Sequence, residues 1–159
     1  MLSRLIKLYT KDEYTHVSIA LDEKLDRLYS FGRLNPYNAF VGGFVHEGVH
    51  IGTFNRFKKT IAGIYQLEVT DEEYSKIESL IAEFESNRKK YKFNIKGMFC
   101  TVINLKIEKE NYFYCAEFVK YVLENAEIKT DLPDIVKPND FQYIKGLEIL
   151  YKGYLQQYV

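Results

Sequence analysis

The sequence predicts an α+β protein. Alternating, β-branched segments occur at 15–21 and 61–69, and a capped amphipathic helix opens at Thr70. The order of elements is helix, hairpin, strands, then helices, with no internal repeat. From the N-terminus, Leu2, Leu5, Ile6 and Tyr9 recur at helical spacing and predict a short helix. Thr15 to Leu21 (THVSIAL) reads as a strand, Asp22 to Asp26 as a polar turn, and Arg27 to Gly32 (RLYSFG) as the hairpin partner. Arg33 to Gly43 holds Asn-Pro and Gly-Gly and predicts a loop, and Phe44 to Phe54 is read as extended chain. Ile61 to Val69 (IAGIYQLEV) has the pattern of a central strand.

Thr70 with Glu73 forms a capping box, and Tyr74, Ile77, Leu80, Ile81 and Phe84 make one apolar stripe, with charges continuing to Lys90. A second helix is expected over 95–105. A charged turn at 108–111 precedes the aromatic run Tyr112-Phe113-Tyr114. A third helix starts near Cys115, with Phe118, Val119, Val122 and Leu123 facing inward. Pro138-Asn139-Asp140-Phe141 reads as a further helix start that Asn139 or Asp140 caps.

Composition narrows the function classes. The 159 residues are 47% hydrophobic and 16% aromatic, enough for one packed domain over 1–159 and too apolar for a disordered chain. Basic and acidic residues balance at 22 each, so no global field steers the chain to nucleic acid or an anionic membrane. Arg88, Lys89, Lys90 and Lys92 follow an acidic helix and read as its solvated C-terminal turn, so no nucleic-acid partner is expected. No apolar run approaches the roughly 20 residues of a membrane span. The N-terminus lacks the pattern of a secretory signal, which makes the cytosol the expected compartment. Cys100 and Cys115 then read as thiols, not a disulfide.

Three places carry candidate chemistry. Cys115 sits at the start of a predicted helix, where unpaired amides and the positive end of the dipole favour a thiolate. Its bland reading is a buried structural thiol, and Cys100, among apolar neighbours, is assigned to the core. His16 opens a strand on whose face Ser18 and Ala20 leave room beside the ring; its bland reading is a histidine satisfied at a strand end. His46-Glu47-Gly48-Val49-His50 matches the zinc-protease pattern, but that chemistry needs a helix. Here Gly42, Gly43, Gly48 and Gly52 alternate with β-formers, and an extended chain sets positions four apart roughly 13 Å from each other. No metal and no cofactor is therefore expected.

THVSIALD near the start and NYFYCAEFVKYVLENA near the end together resemble the circularly permuted branch of the NlpC papain-like superfamily, the YiiX/YebB-like cysteine hydrolases. That branch places a histidine opening a strand before a cysteine opening a helix, positions that match His16 and Cys115. Leu28 to Gly32 resembles the family's second strand, and Pro138 to Phe141 a common C-terminal element. The resemblance implies a small antiparallel sheet or half-barrel with the cysteine helix packed on it. It also implies a third, polar residue orienting the imidazole. The corresponding position is Ser30, with Glu47 as the alternative. Family chains begin with a strand before the first helix, whereas this one begins almost at its predicted helix.

The function expected on these grounds is a cysteine hydrolase cleaving an amide or ester through an acyl-enzyme, with Cys115 as nucleophile, His16 as base and Ser30 in the third position. The acyl substrate would be a small molecule, a peptide or lipid-like. Tyr114 is a further donor or a wall of the pocket. The alternatives are a non-catalytic binding module on the same fold, or a lipid acyltransferase or thioesterase.

Overall fold

The computed structural model describes the backbone of residues 3–10 and residues 15–158. Six antiparallel strands form the main sheet in the order β4-β3-β2-β1-β5-β8. They are β1 (Ser3–Thr10), β2 (Val17–Ala20), β3 (Leu28–Asn35), β4 (Asn38–Glu47), β5 (Ile61–Val69) and β8 (Leu147–Tyr154). The helices are α1 (Gly52–Arg56), α2 (Asp71–Ser86), α3 (Ile95–Cys100) and α4 (Cys115–Asn125). A short parallel ladder pairs β6 (Lys92–Phe93) with β7 (Tyr112–Phe113). The architecture is thus α+β with small antiparallel pairings. No helix among the described residues is long and apolar enough to cross a membrane.

Both faces of the sheet are covered. Strand alternation sends Val17, Ile19, Tyr29, Phe31 and Phe44 to one face, where they pack with Ile77, Ile81 and Phe84 of α2 and Phe118, Val119 and Val122 of α4. Ala20, Leu28, Ala62 and Ile64 face the other way and pack with Val49, Phe54 and Leu155. The first cluster centres on Phe84, whose ring lies 5.1 to 5.9 Å from those of Phe31, Phe44, Phe113 and Phe118. Coverage of both faces explains why β5 is buried along nearly its whole length, as its continuous apolar run predicts.

Several elements differ from the sequence expectation. Residues 3–10 form β1, not a helix: β2 and β5 take both of its hydrogen-bonding edges, Ile6 pairing with Ala20 and with Gln66. Inter-strand pairing on two sides overrides a spacing that local periodicity cannot assign. The expected loop over 33–43 is mostly strand. β3 and β4 form a hairpin closed by Pro36-Tyr37, and Gly42 and Gly43 lie inside β4. Gly42 is a packing residue there, since a Cβ would stand 2.8 Å from the Phe93 ring. The extended stretch ends at Glu47, after which α1 forms. The helix expected over 95–105 is six residues of α3 and a 3-10 turn, Thr101–Ile103, stopped by Asn104 in the left-handed region at φ 53°. Pro138–Tyr143 starts where expected but is a 3-10 turn. β8 has no counterpart in the expectation.

Candidate active site

His16 immediately precedes β2. The pairing of Ile19 with Tyr29 and Ala20 with Leu28, continued along the strands, sets Ser18 opposite Ser30 and His16 opposite Gly32. Antiparallel pairing of β3 with β4 brings Glu47 to the same face as His16 and Ser18. Between them β3 carries small residues. A Cβ on Gly32 would lie 3.3 Å from His16 Cε1 and 3.4 Å from Glu47 Oε1, so the glycine leaves the space in which these side chains meet.

Glu47 Oε1 lies 2.9 Å from His16 Nε2, and the Ser18 hydroxyl donates to Glu47 Oε2. The carboxylate is therefore held by two groups of the β2 segment while rooted in β4. The His16 side chain is 22% exposed and that of Glu47 9%. The Cys115 side chain lines the same cleft as the His16 ring and contributes to raising its pKa. Burial lowers the ring's pKa, but the Glu47 charge and the hydrogen bonds with Cys115 and Glu47 outweigh it and hold His16 well above its ordinary 6.5.

Cys115 is the first residue of α4 and 4% exposed. Its position follows from how the helix start is tied down. Tyr114 is extended, its N–H donates to Glu117 Oε2 at 3.1 Å, and its carbonyl accepts from Phe118 N–H at 3.0 Å. The Asn94 amide donates to the same Glu117 oxygen at 3.3 Å and to the Ile107 carbonyl at 3.0 Å, while its Oδ1 caps α3 by accepting from Gly97 N–H at 2.9 Å. Burial raises the Glu117 carboxyl against the pull of the Tyr114 and Asn94 hydrogen bonds. Asn94 and Glu117 were not singled out from the sequence, though each has a local signal: Asn three residues before Gly97 at a helix start, and Glu at the third position of α4.

His16, Glu47 and Cys115 line one cleft of about 730 Å³, walled by Phe31, Phe54, Phe93 and Met98. The other expected positions lie elsewhere. Ser30, expected in the third position, is fully buried and its hydroxyl donates to the Val17 carbonyl at 2.8 Å, bracing β2 on β3. The Tyr114 phenol donates to the Val136 carbonyl at 2.8 Å, and burial pushes its pKa well up, so it anchors α4 and is not a donor in the cleft. Cys100 ends α3 half-buried instead of lying in the core.

The zinc-protease pattern is split among three partners. His46 Nε2 lies 2.7 Å from the Asp26 carbonyl with its ring stacked on Tyr29 at 4.8 Å, and His50 pairs with Gln156 at 3.0 Å. Glu47 turns to His16 on the opposite face from His46, as strand alternation demands. Comparison with protein-family models, with curated proteins and with solved structures finds no match to this chain.

Proposed function

We infer that the chain is a cysteine hydrolase that cleaves an amide or ester bond, with Cys115 as nucleophile, His16 as acid and base, and Glu47 as the residue that orients and charges the imidazole. The observation that carries this reading is the series Cys115, His16 and Glu47 lining a single cleft, the thiol at a helix start and the Glu47 carboxylate 2.9 Å from the ring. The same series is what a permuted papain-like site requires, with Glu47 in place of Ser30. A non-catalytic binding module on the same fold is the less favoured reading, because a carboxylate stands 2.9 Å from the ring, where catalysis needs an orienting group.

In this mechanism the Cys115 thiolate attacks the substrate carbonyl carbon and the carbonyl π pair moves to oxygen. Collapse of the tetrahedral adduct expels the leaving group, which takes the proton from His16. The product is an acyl-enzyme thioester and a neutral imidazole. Water then attacks the thioester while His16 accepts its proton, and expulsion of the thiolate releases the acid and restores the imidazolium. The oxyanion forms beside the Cys115 amide, one of the four at the start of α4 without an intrahelical acceptor. An alcohol or amine in place of water gives acyl transfer from the same intermediate.

The test is alkylation of both cysteines by iodoacetamide across pH 5 to 9, read by peptide mass spectrometry. Cys115 should react at pH 6 on the order of ten times or more faster than the more accessible Cys100, and His16→Ala should abolish that advantage. Equal rates at the two thiols, or a Cys115 rate indifferent to His16, would refute the assignment.

A further inference from the structure

We propose that the mouth of the cleft is a docking surface for an anionic lipid bilayer. Three segments converge on that mouth and present four exposed apolar side chains: Phe40 from β4, Phe57 after α1, and Ile95 and Phe99 from α3, all lining the cleft. Phe40 is 87% exposed and Phe99 66%. Tyr37, at the tip of the β3–β4 hairpin, extends the group, its ring 4.4 Å beneath the Arg56 guanidinium. The 3-10 turn that follows α3 carries two further exposed apolar residues outside the cleft lining, Val102 and Ile103, 78% and 72% exposed. Single exposed apolar residues are ordinary, but this many on adjoining segments around one opening is the mark of an interaction surface.

Charge selects the occupant. Residues 32–60 and 94–105, which supply most of the lining, carry the cations Arg33, Arg56, Lys58, Lys59 and Lys96 against the single acid Glu47, which is engaged with His16. All five cations are exposed, and none is ion-paired to an acid among the described residues. The chain's overall neutrality conceals this excess. Its acids gather on α2, where Asp71, Glu72, Glu73, Glu78, Glu83 and Glu85 face one Lys76, and no residue of α2 lines the cleft. A ring of aromatic and aliphatic side chains flanked by Lys and Arg fits the boundary between acyl chains and anionic headgroups, with the rings at headgroup depth and the cations against phosphate. A second copy of the chain fits poorly, because two identical mouths would bring Arg33 and Lys59 of each copy together with no acid free to pair them.

The surface stands or falls independently of the reaction. The full-length chain is sedimented with vesicles of phosphatidylcholine containing phosphatidylglycerol, and with vesicles of phosphatidylcholine alone. Binding is expected to the mixed vesicles, weakening as salt is raised. The paired variant Lys58→Glu/Lys59→Glu should lose roughly tenfold or more in affinity. Phe40→Asp/Phe99→Asp, at exposed positions and with the fold checked by circular dichroism, should abolish binding. Cys115→Ala should bind like the parent; if it does while Cys115 proves unreactive to alkylation, docking holds and the hydrolase reading alone fails. No binding to the mixed vesicles overturns the proposal, as does unchanged binding by Phe40→Asp/Phe99→Asp. So does a dimer in solution that the same variant converts to monomer without any vesicle binding, since the mouth is then an interface between copies of the chain.

Discussion

Glu47 couples the protonation of the site to the stability of the fold. It lifts His16 above its ordinary 6.5, so the charged pair is favoured in the folded state over the unfolded one. Stability from this contact is fully present below pH 6.5 and is lost as pH rises through the higher folded value. Glu47→Gln keeps the shape of the side chain and removes its charge. In this variant the His16 titration followed by NMR should move down toward its ordinary value, and the loss of stability between pH 6.5 and 9 should shrink. On the proposed mechanism, alkylation of Cys115 at neutral pH should also fall about tenfold or more in this variant. A His16 titration that does not respond to Glu47→Gln would mean that the 2.9 Å contact has no electrostatic consequence.

The start of α4 depends on a buried carboxyl that is useful as an acceptor and costly as a charge. Glu117 accepts from Tyr114 N–H and from Asn94, yet burial raises its pKa above the ordinary 4.5. A carboxyl raised in this way contributes stability below its unfolded pKa and loses it as pH climbs through the folded value. Glu117→Gln retains an oxygen for the Tyr114 amide without the buried charge, so relative to the parent it should gain stability as pH rises from 4 to 7. Glu117→Ala, which orphans the amide, should cost about 1–2 kcal/mol in denaturant unfolding. If the two variants are equally destabilised, the hydrogen bond is not what positions Cys115. At α2 the analogous device is exposed: the Thr70 hydroxyl accepts from Glu73 N–H at 3.2 Å, and the Glu73 carboxylate accepts from Thr70 N–H at 2.7 Å.

Two packed faces on one sheet mean that the site face and the helix face share strands. Phe31 and Phe44 project to the helices from β3 and β4, the strands that carry Gly32 and Glu47 on the other side. Phe84 is 1% exposed and ringed by Phe31, Phe44, Phe113 and Phe118, so its loss loosens the strands as well as α2. Phe84→Ala should cost about 3–5 kcal/mol in guanidinium unfolding, a large part of the roughly 5–15 kcal/mol of a typical domain. It should also lower Cys115 reactivity, although Phe84 touches no member of the site. A cost near 1 kcal/mol would mean that the aromatic cluster rearranges to fill the cavity.

The features legible in the residues alone are those whose cause lies within a few positions. The Thr70–Glu73 box places the start of α2, the β-branched alternation places β2 and β5, and the break after Tyr114 places Cys115 at a helix start. His16 stood out for the same reason, as a histidine opening a strand beside small residues. What lay beyond local reading depends on partners distant in the chain. β1 is a strand because β2 and β5 claim its edges, and β4 continues through Gly42 and Gly43 because it pairs with β3, with Phe93 packed where a side chain at 42 would have been. Glu47 is the clearest case. Its neighbours His46 and His50 suggest a metal, and it entered only as the alternative to Ser30 on the family resemblance, since nothing within ten residues points to His16. Only the β2–β3–β4 register, with Ser30 and Gly32 too small to intervene, lets a carboxylate reach across a strand to the ring. Helix caps and strand alternation are short-range and therefore written in the order of residues, whereas a contact between positions 31 apart exists only once pairing has closed the sheet.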